Sequence, residues 1–249
     1  MDSQALRRDI VKYCQRIWER GWVANHDGNL TVRLDKNRIL ATPTAFSKKE
    51  IREDDILVVE LWTGKVANGR HKAFSELPLH LEYYKVREDV NAVLHAHPPV
   101  ASAFSVAGIE VETRITPEAV VSLGDRIPLA PVAMPGTLES AQQVRYLGNL
   151  YDVILLGNHG VVSCGTDLEQ AYLRCELTEH LARMQRNAML MGSVRFIPAD
   201  WVPELLNKRK KAGLGPEARK APPVKSPRAL SQLPMNELLP ALVQQLKKD

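Results

Sequence analysis

The stretch VLHAHPP sets His95 and His97 one residue apart at the end of an apolar run, in a chain with seven histidines. In a strand, residues i and i+2 point to the same face, so this spacing presents two imidazoles side by side. A third histidine, His159, lies in ILLGNHGVVSCG, again directly after an apolar run and inside a tight-turn signature. Three histidines arriving from strand ends make the donor set of a catalytic metal centre, with a fourth position left for a carboxylate or a reacting molecule. Neutral imidazole suits zinc, copper or iron alike, so the residues do not name the metal. Histidines that merely face water or bond the backbone are the competing reading of the same pattern. Glu76, at the start of SELPLHLEYY, places a carboxylate near the pair, although an acid there equally suits the positive end of a helix dipole. Gly28-Asn29 and Thr42-Pro43-Thr44 are loop elements whose backbone N–H groups and small polar side chains suit an anion.

These residues need elements to carry them. Leu6, Ile10, Val11, Cys14, Ile17 and Trp18 recur at helical spacing and predict a helix over 3–20. HDGNLTVRL then alternates, with Leu30, Val32 and Leu34 on one face; an Asp-Lys-Asn turn and RILATP complete a hairpin signature. ILVVELWTG (56–64) reads as a strand, and 75–89 as a helix with Ser75 as N-cap. Residues 91–97 read as a buried strand, and VVSLGDRIPLAPVA (120–133) as short strands. A helix over 139–150 follows, then a strand pair turning at Asn158-His159-Gly160. Residues 166–190 predict a long helix, with Thr166 and Glu169 as a capping box. This order predicts one α/β domain over residues 1–205, with helices on both faces of a mixed sheet. Residues 206–230, rich in Pro, Gly and Lys, read as a flexible linker. Residues 231–249 read as a short amphipathic helix, with Leu238, Leu239, Leu242, Val243 and Leu246 in one stripe. A helix that brief is marginal alone and is expected to dock.

At 249 residues, with 45% hydrophobic and 25% charged side chains, the chain has room for one large domain and a tail. No apolar run approaches the length of a membrane span, and the charged, amphipathic N-terminus carries no secretory signal. Three cysteines, Cys14, Cys164 and Cys175, without a CxxC pair argue for a reducing, cytoplasmic setting. The net charge is +4, but residues 208–228 hold eight Lys/Arg against the single acid Glu217, so the remainder sums to −3. A mildly negative body excludes a nucleic-acid-binding surface as its main function. The partner of the basic tail stays open among anionic lipid, nucleic acid and acidic protein. Lys48, Lys49 and Lys72 fall in charged loops and read as solvated, which leaves no lysine to form a Schiff base.

The ordered set GNLTVRL, ILATPTAFSK, FSELPLH, VLHAHPPVASAF and LLGNHGVVSCGTDLEQAY resembles the class II aldolase/adducin family, over about residues 5–195. The resemblance implies a three-layer αβα sandwich around a mixed, largely antiparallel sheet, assembled as a ring-shaped homotetramer with active sites between neighbouring subunits. It implies that His95, His97 and His159 ligate zinc, or another divalent transition metal, and that Glu76 is both a ligand and the acid/base. Gly28, Asn29, Thr44, Ala45 and Ser75 fall where the family binds a substrate phosphate. The implied reaction cleaves a ketose, of the L-fuculose 1-phosphate type, into a ketone such as dihydroxyacetone phosphate and an aldehyde, through an enediolate that the metal stabilises. Epimerase, dehydratase and decarboxylase members of the family are the alternatives, as is a non-catalytic, adducin-like interaction protein. Two positions depart from the sugar-phosphate aldolases: Ala45 stands where they have Gly, and Phe74 where they have Ser. Where the family places a tyrosine, this chain has Pro117 and Glu118, which makes Glu118 the candidate proton donor to the aldehyde oxygen.

Overall fold

Alternating runs become strands in the computed structural model, which describes residues 3–219. β1 (Asn29–Arg33) and β2 (Arg38–Ala41) form the expected hairpin, and β3 (Leu57–Glu60) and β4 (Val66–Asn68) extend it outward. β5 (Ala92–Ala96) takes the other edge of β1, and β6 (Leu129–Ala130), β7 (Val153–Leu156) and β8 (Gly160–Gly165) complete one sheet of order β4-β3-β2-β1-β5-β8-β7-β6. Every neighbouring pair is antiparallel except β6 with β7.

The described helices are α1 (Ser3–Glu19), α2 (Leu77–Val86), α3 (Pro99–Ala107), α4 (Pro117–Leu123), α5 (Leu138–Leu150), α6 (Leu168–Met191) and α7 (Trp201–Lys211). The period of two along each strand sends alternate residues to opposite cores. Leu30, Val32, Leu94 and Leu155 pack under α1, α3, α4 and α6, against Ile10, Ile17, Phe104, Leu123 and Leu181. Ile39, Val59, Val93, Ile154 and Val162 face α2 and α5, against Leu77, Tyr83, Val144 and Leu147. The fold is therefore an αβα sandwich with two cores, in which each fully buried Leu, Ile or Val contributes about 1.5–3 kcal/mol. Gly148 sets the spacing of α2 on α5: a Cβ there would lie 2.8 Å from the Tyr83 ring.

Several local expectations are corrected. VVSL of 120–133 is helical in α4, because Thr116 accepts a hydrogen bond from Ala119 N and Pro117 sits in the first turn. Of that stretch only Leu129–Ala130 is strand. Pro98 and Pro99, at the cap and first position, start α3, a helix the sequence reading did not assign, and Gly108 ends it in a left-handed conformation (φ 70°). The cap of α6 is Asp167, which accepts from Gln170 N, one residue beyond Thr166. The cap of α2 is Glu76, not Ser75, and the Glu76 side chain makes no capping bond.

The boundary near 205 falls inside α7, and the basic segment is bound to the domain through residue 219. Fully buried Asp152, at the start of β7, takes Arg87 and Arg219 on Oδ1 and Arg174 and Arg209 on Oδ2. Asp89 adds a second carboxylate against Arg87 and Arg219. Arg209 and Arg219, expected to be solvated linker charges, thus close an ion cluster that holds α7 and residues 212–219. The expected helix at 231–249 and the linker beyond 219 lie outside the described residues.

Candidate metal centre

The site forms at one end of the central strands. Asn29 and His95 are register partners in β1 and β5, on the face covered by α2. His97 follows β5 directly, its N–H bonded to Trp22 O (2.8 Å), and His159 sits in the β7–β8 turn. The rings of His95, His97 and His159 have centroids 4.7–4.9 Å apart. One nitrogen of each lies within 4.8 Å of the others, and His95 Nε2 and His97 Nε2, at 3.0 Å, stand near the roughly 3.3 Å that Zn–N bonds of about 2.0–2.1 Å require at tetrahedral angles.

The second nitrogens decide the tautomers. His95 Nδ1 lies 3.0 Å from Val161 O; a carbonyl only accepts, so Nδ1 carries the hydrogen and Nε2 keeps its lone pair. That Nε2 faces His97 Nε2 at 3.0 Å, while His97 Nδ1 lies 3.5 Å from Asp27 Oδ2. Burial pushes the His95 imidazole down to about 3, with His159 adding to the effect. Burial, then His95 and His159, pushes His97 down to about 4. Both rings are neutral at physiological pH, the state in which imidazole binds a metal.

Glu76 completes the set. Its Oε2 accepts from Asn29 Nδ2 (3.1 Å), and its Oε1 lies 3.5 Å from His95 Nε2 and 3.3 Å from His159 Nε2. Oε1 is buried and has no hydrogen-bond partner. A buried carboxylate oxygen turned toward the lone pair of His95 Nε2 is costly unless a cation lies between them. The donor set therefore fits a divalent metal.

The loops expected to hold an anion gather around Glu76. Pro43 bridges Ala73, and Thr44 N–H donates to Lys72 O (3.0 Å), which straps the segment after β2 to the approach to α2. Thr44, Ala45 and Ser75 are exposed at the mouth. Gly28 (φ 73°) is packed flush: a Cβ would lie 2.5 Å from Val23 Cγ1 and 3.1 Å from His95 O. Thr44 N–H is taken up by Lys72 O, Asn29 donates from Nδ2 to Glu76 while its buried Oδ1 has no partner, and Ala45 keeps a left-handed turn (φ 61°) despite its Cβ. Phe74 points into the core, edge-on to His80 at 5.1 Å, and does not fill the mouth. Glu118 is exposed on the first turn of α4, and no hydrogen bond or ion pair joins it to the three histidines or Glu76 among the described residues.

Sequence reasoning overlooked three residues. Asp27 backs His97, and its place two residues before Asn29 was a usable signal. His80, one helical turn after Glu76, is buried and bonds Thr31 Oγ1 through Nδ1 (2.9 Å), with Thr31 in turn 2.8 Å from Tyr84 Oη; the i, i+4 spacing pointed to it. Lys48, expected in solvent, is 1% exposed. Its Nζ donates to His26 O (3.1 Å) and Phe46 O (2.9 Å).

The structure is an α/β protein with a largely antiparallel sheet between two helical layers, and three histidines at the ends of its central strands that could hold a metal beside the glutamate that caps α2. The model of the family described as Class II Aldolase and Adducin N-terminal domain matches residues 8–186, and the chain belongs to that family. It is 35% identical over 182 residues to L-fuculose phosphate aldolase of Methanococcus vannielii, covering 73% of this chain and 96% of that protein. It is 29% identical over 209 residues to 3-oxo-tetronate 4-phosphate decarboxylase of Pectobacterium atrosepticum, covering 82% and 93%. Among solved structures, an L-fuculose 1-phosphate aldolase aligns with a TM-score of 0.76 at 25% identity, covering 83% of this chain and 96% of that one. The fold class and the family expected from the motifs are both borne out. None of the described helices is long and apolar enough to cross a membrane.

Proposed function

We propose that this chain is a metal-dependent aldolase that cleaves a phosphorylated ketose into a ketone and an aldehyde. The observation that carries the reading is the clustering of His95, His97 and His159, with the partnerless Glu76 Oε1 beside His95 Nε2 and His159 Nε2. Zinc, or another divalent transition metal, held by these residues would act as a Lewis acid on the substrate carbonyl and stabilise negative charge developing there. Breaking the C3–C4 bond sends its electron pair toward that carbonyl. The C4 hydroxyl loses a proton, and the carbon of the ketone fragment gains one. Glu76 is the group placed to move a proton at that carbon, and Asn29 Nδ2 holds the carboxylate by its other oxygen. Gly28, Asn29, Thr44, Ala45 and Ser75 form the rim that would receive the phosphate. Glu118 has a role in this reading only across a subunit boundary. Such a boundary is supported by exposed Val132, Met134 and Leu138, in the segment whose Pro131, Ala133 and Pro135 line a small cleft with Glu76 and His159. A homotetramer in the cytoplasm is the assembly and setting that this reading carries.

A second reading keeps the site and changes the bond. A decarboxylase relative aligns over more of the chain than the aldolase relative named above, and loss of CO₂ from a 3-oxo acid also leaves its electron pair to be drawn toward a carbonyl. Metal analysis of the wild type and His97→Ala, with product analysis on ketose phosphates and 3-oxo acid phosphates, tests both readings. One divalent ion per chain, lost in the variant, with aldehyde and ketone as products, is the expected result. Carbon dioxide release selects the second reading, and a wild type that takes up no metal after reconstitution refutes both.

A further inference from the structure

We propose that Lys48 is a positioning residue for the metal centre, its side-chain nitrogen locking the turn that delivers Asp27 to His97 and Asn29 to Glu76. The proposal rests on the metal-centre reading above. A buried ammonium is costly to desolvate, and such groups are normally held by a carboxylate. Among the described residues no acid lies within ion-pair distance of Lys48; its nitrogen is held by two backbone carbonyls, His26 O and Phe46 O. Burial lowers its pKa, while Cys14 and Asp27 work weakly in the other direction.

What those carbonyls belong to gives the lysine its use. His26 is the middle of a turn closed by Asp27 N to Ala24 O (2.9 Å) and bounded by two left-handed residues, Asn25 (φ 50°) and Gly28 (φ 73°). Directly after His26 O, the chain sends out the two side chains that back the candidate ligands. Asp27 Oδ2 lies 3.5 Å from His97 Nδ1, and Asn29 Nδ2 donates to Glu76 Oε2. Phe46, the other acceptor, follows Ala45 (φ 61°). A left-handed alanine persists only where its surroundings hold it, while asparagine enters that region more readily. Of three left-handed non-glycine residues among those described, two flank the carbonyls that Lys48 holds, and the third, Asn158, precedes His159. Lys48 thus ties the His26 turn to the loop at Ala45-Phe46. Loosening it frees Asp27 and Asn29 together.

Groups that orient metal ligands change metal affinity about 10–100-fold when removed, which sets the expected effect. The full chain is stripped with a chelator and titrated with Co²⁺ against a chromophoric competitor. The visible spectrum of the loaded protein reports coordination geometry, and circular dichroism reports the fold. Lys48→Met keeps the unbranched stem and removes the donor. It is expected to fold, to bind Co²⁺ at least 10-fold more weakly than wild type, and to show an altered visible band. Lys48→Gln, which returns an N–H₂ donor on a shorter stem, is expected to recover part of the affinity. Unchanged Co²⁺ affinity and spectrum in folded Lys48→Met overturn the positioning role while leaving the metal centre standing. Failure of both variants to fold also overturns it, by making Lys48 a requirement of the fold. A wild type that binds no Co²⁺ refutes the metal-centre reading and this proposal with it.

Discussion

Removing one carboxylate, Asp152, is expected to cost the protein a large part of its stability without touching the candidate site. The change Asp152→Asn keeps the side chain's shape and removes its charge. In the native structure both oxygens of this fully buried residue are occupied, Arg87 and Arg219 at 2.8 and 2.9 Å on one, and Arg174 and Arg209 at 2.9 and 2.5 Å on the other. All four guanidinium groups are nearly buried, with side-chain exposures of 3–10%. Breaking a single buried ion pair by deleting one partner costs about 3–5 kcal/mol. Here one deletion strips the central counter-charge from four cations and leaves Asp89 alone, so the loss falls at or above the top of that range. Against a total of about 5–15 kcal/mol for an ordinary domain, the effect is severe. Urea unfolding at fixed protein concentration measures it, and limited proteolysis should show early cutting between 201 and 219, where Arg209 and Arg219 lose their anchor. A pH arm isolates the charge. Burial alone would raise the Asp152 carboxyl, but Arg174, Arg87, Arg219 and Arg209 more than reverse that and hold it well below the ordinary range. Its contribution is therefore complete above the ordinary aspartate value of about 3.9, and it drains away as the pH falls below that toward the depressed native value. The wild type should lose stability across that interval more steeply than Asp152→Asn. A variant within about 1 kcal/mol of wild type at neutral pH, well short of the range for a broken buried pair, or an identical acid limb in both proteins, would refute the argument.

Two further substitutions test the backbone reading. Ala45→Gly removes a Cβ from a left-handed residue; the relief of about 1–2 kcal/mol outweighs the added freedom of the unfolded chain, for a net gain of about 0.5–1 kcal/mol. Calorimetry should record it as a melting temperature higher by about 1–4 °C, and a lower one contradicts the assignment. Gly148→Ala, which on helix propensity alone would stabilise by about 1 kcal/mol, should destabilise by about 1–2 kcal/mol, because its Cβ meets the Tyr83 ring at 2.8 Å and overpacks α2 against α5. A urea midpoint above that of wild type would show that the two helices can move apart freely.

The parts of this protein that were readable in the sequence are those that depend on neighbours along the chain. His95 and His97 announce a shared face because a strand repeats every two residues, and the Asn158-His159-Gly160 turn is marked by its own residue types. Apolar runs without a clear period were harder: VVSL suits a strand or a helix until Thr116 and Pro117 are given their weight as cap and first-turn residues. Pro98-Pro99 carried the same kind of unread signal for α3. Contacts made across the chain left no local trace. Lys48 sits in a charged Ser-Lys-Lys-Glu stretch and is buried only because the loops at 26 and 46 fold over it. The Asp152 cluster joins residues from 87 to 219, and the basic run at 208–211 reads as solvated until its partner is known.

The pairing of β1 with β5 bears on how such a chain can diverge. Asn29 faces His95 across the ladder, and β8, paired with the other edge of β5, begins one residue beyond His159. Lengthening the Asp35-Lys36-Asn37 turn leaves those pairings in place. One residue added within Asn29–Arg33 or Ala92–Ala96 exchanges the two faces of the strand, turning Asn29 or His95 from the α2 side into the opposite core and bringing leucines to the centre. Variation in length is thus confined to the turns at the sheet's other end and to the rim, while the middle strands stay fixed in length. Insertions in those turns would leave the three histidines and Glu76 where they stand.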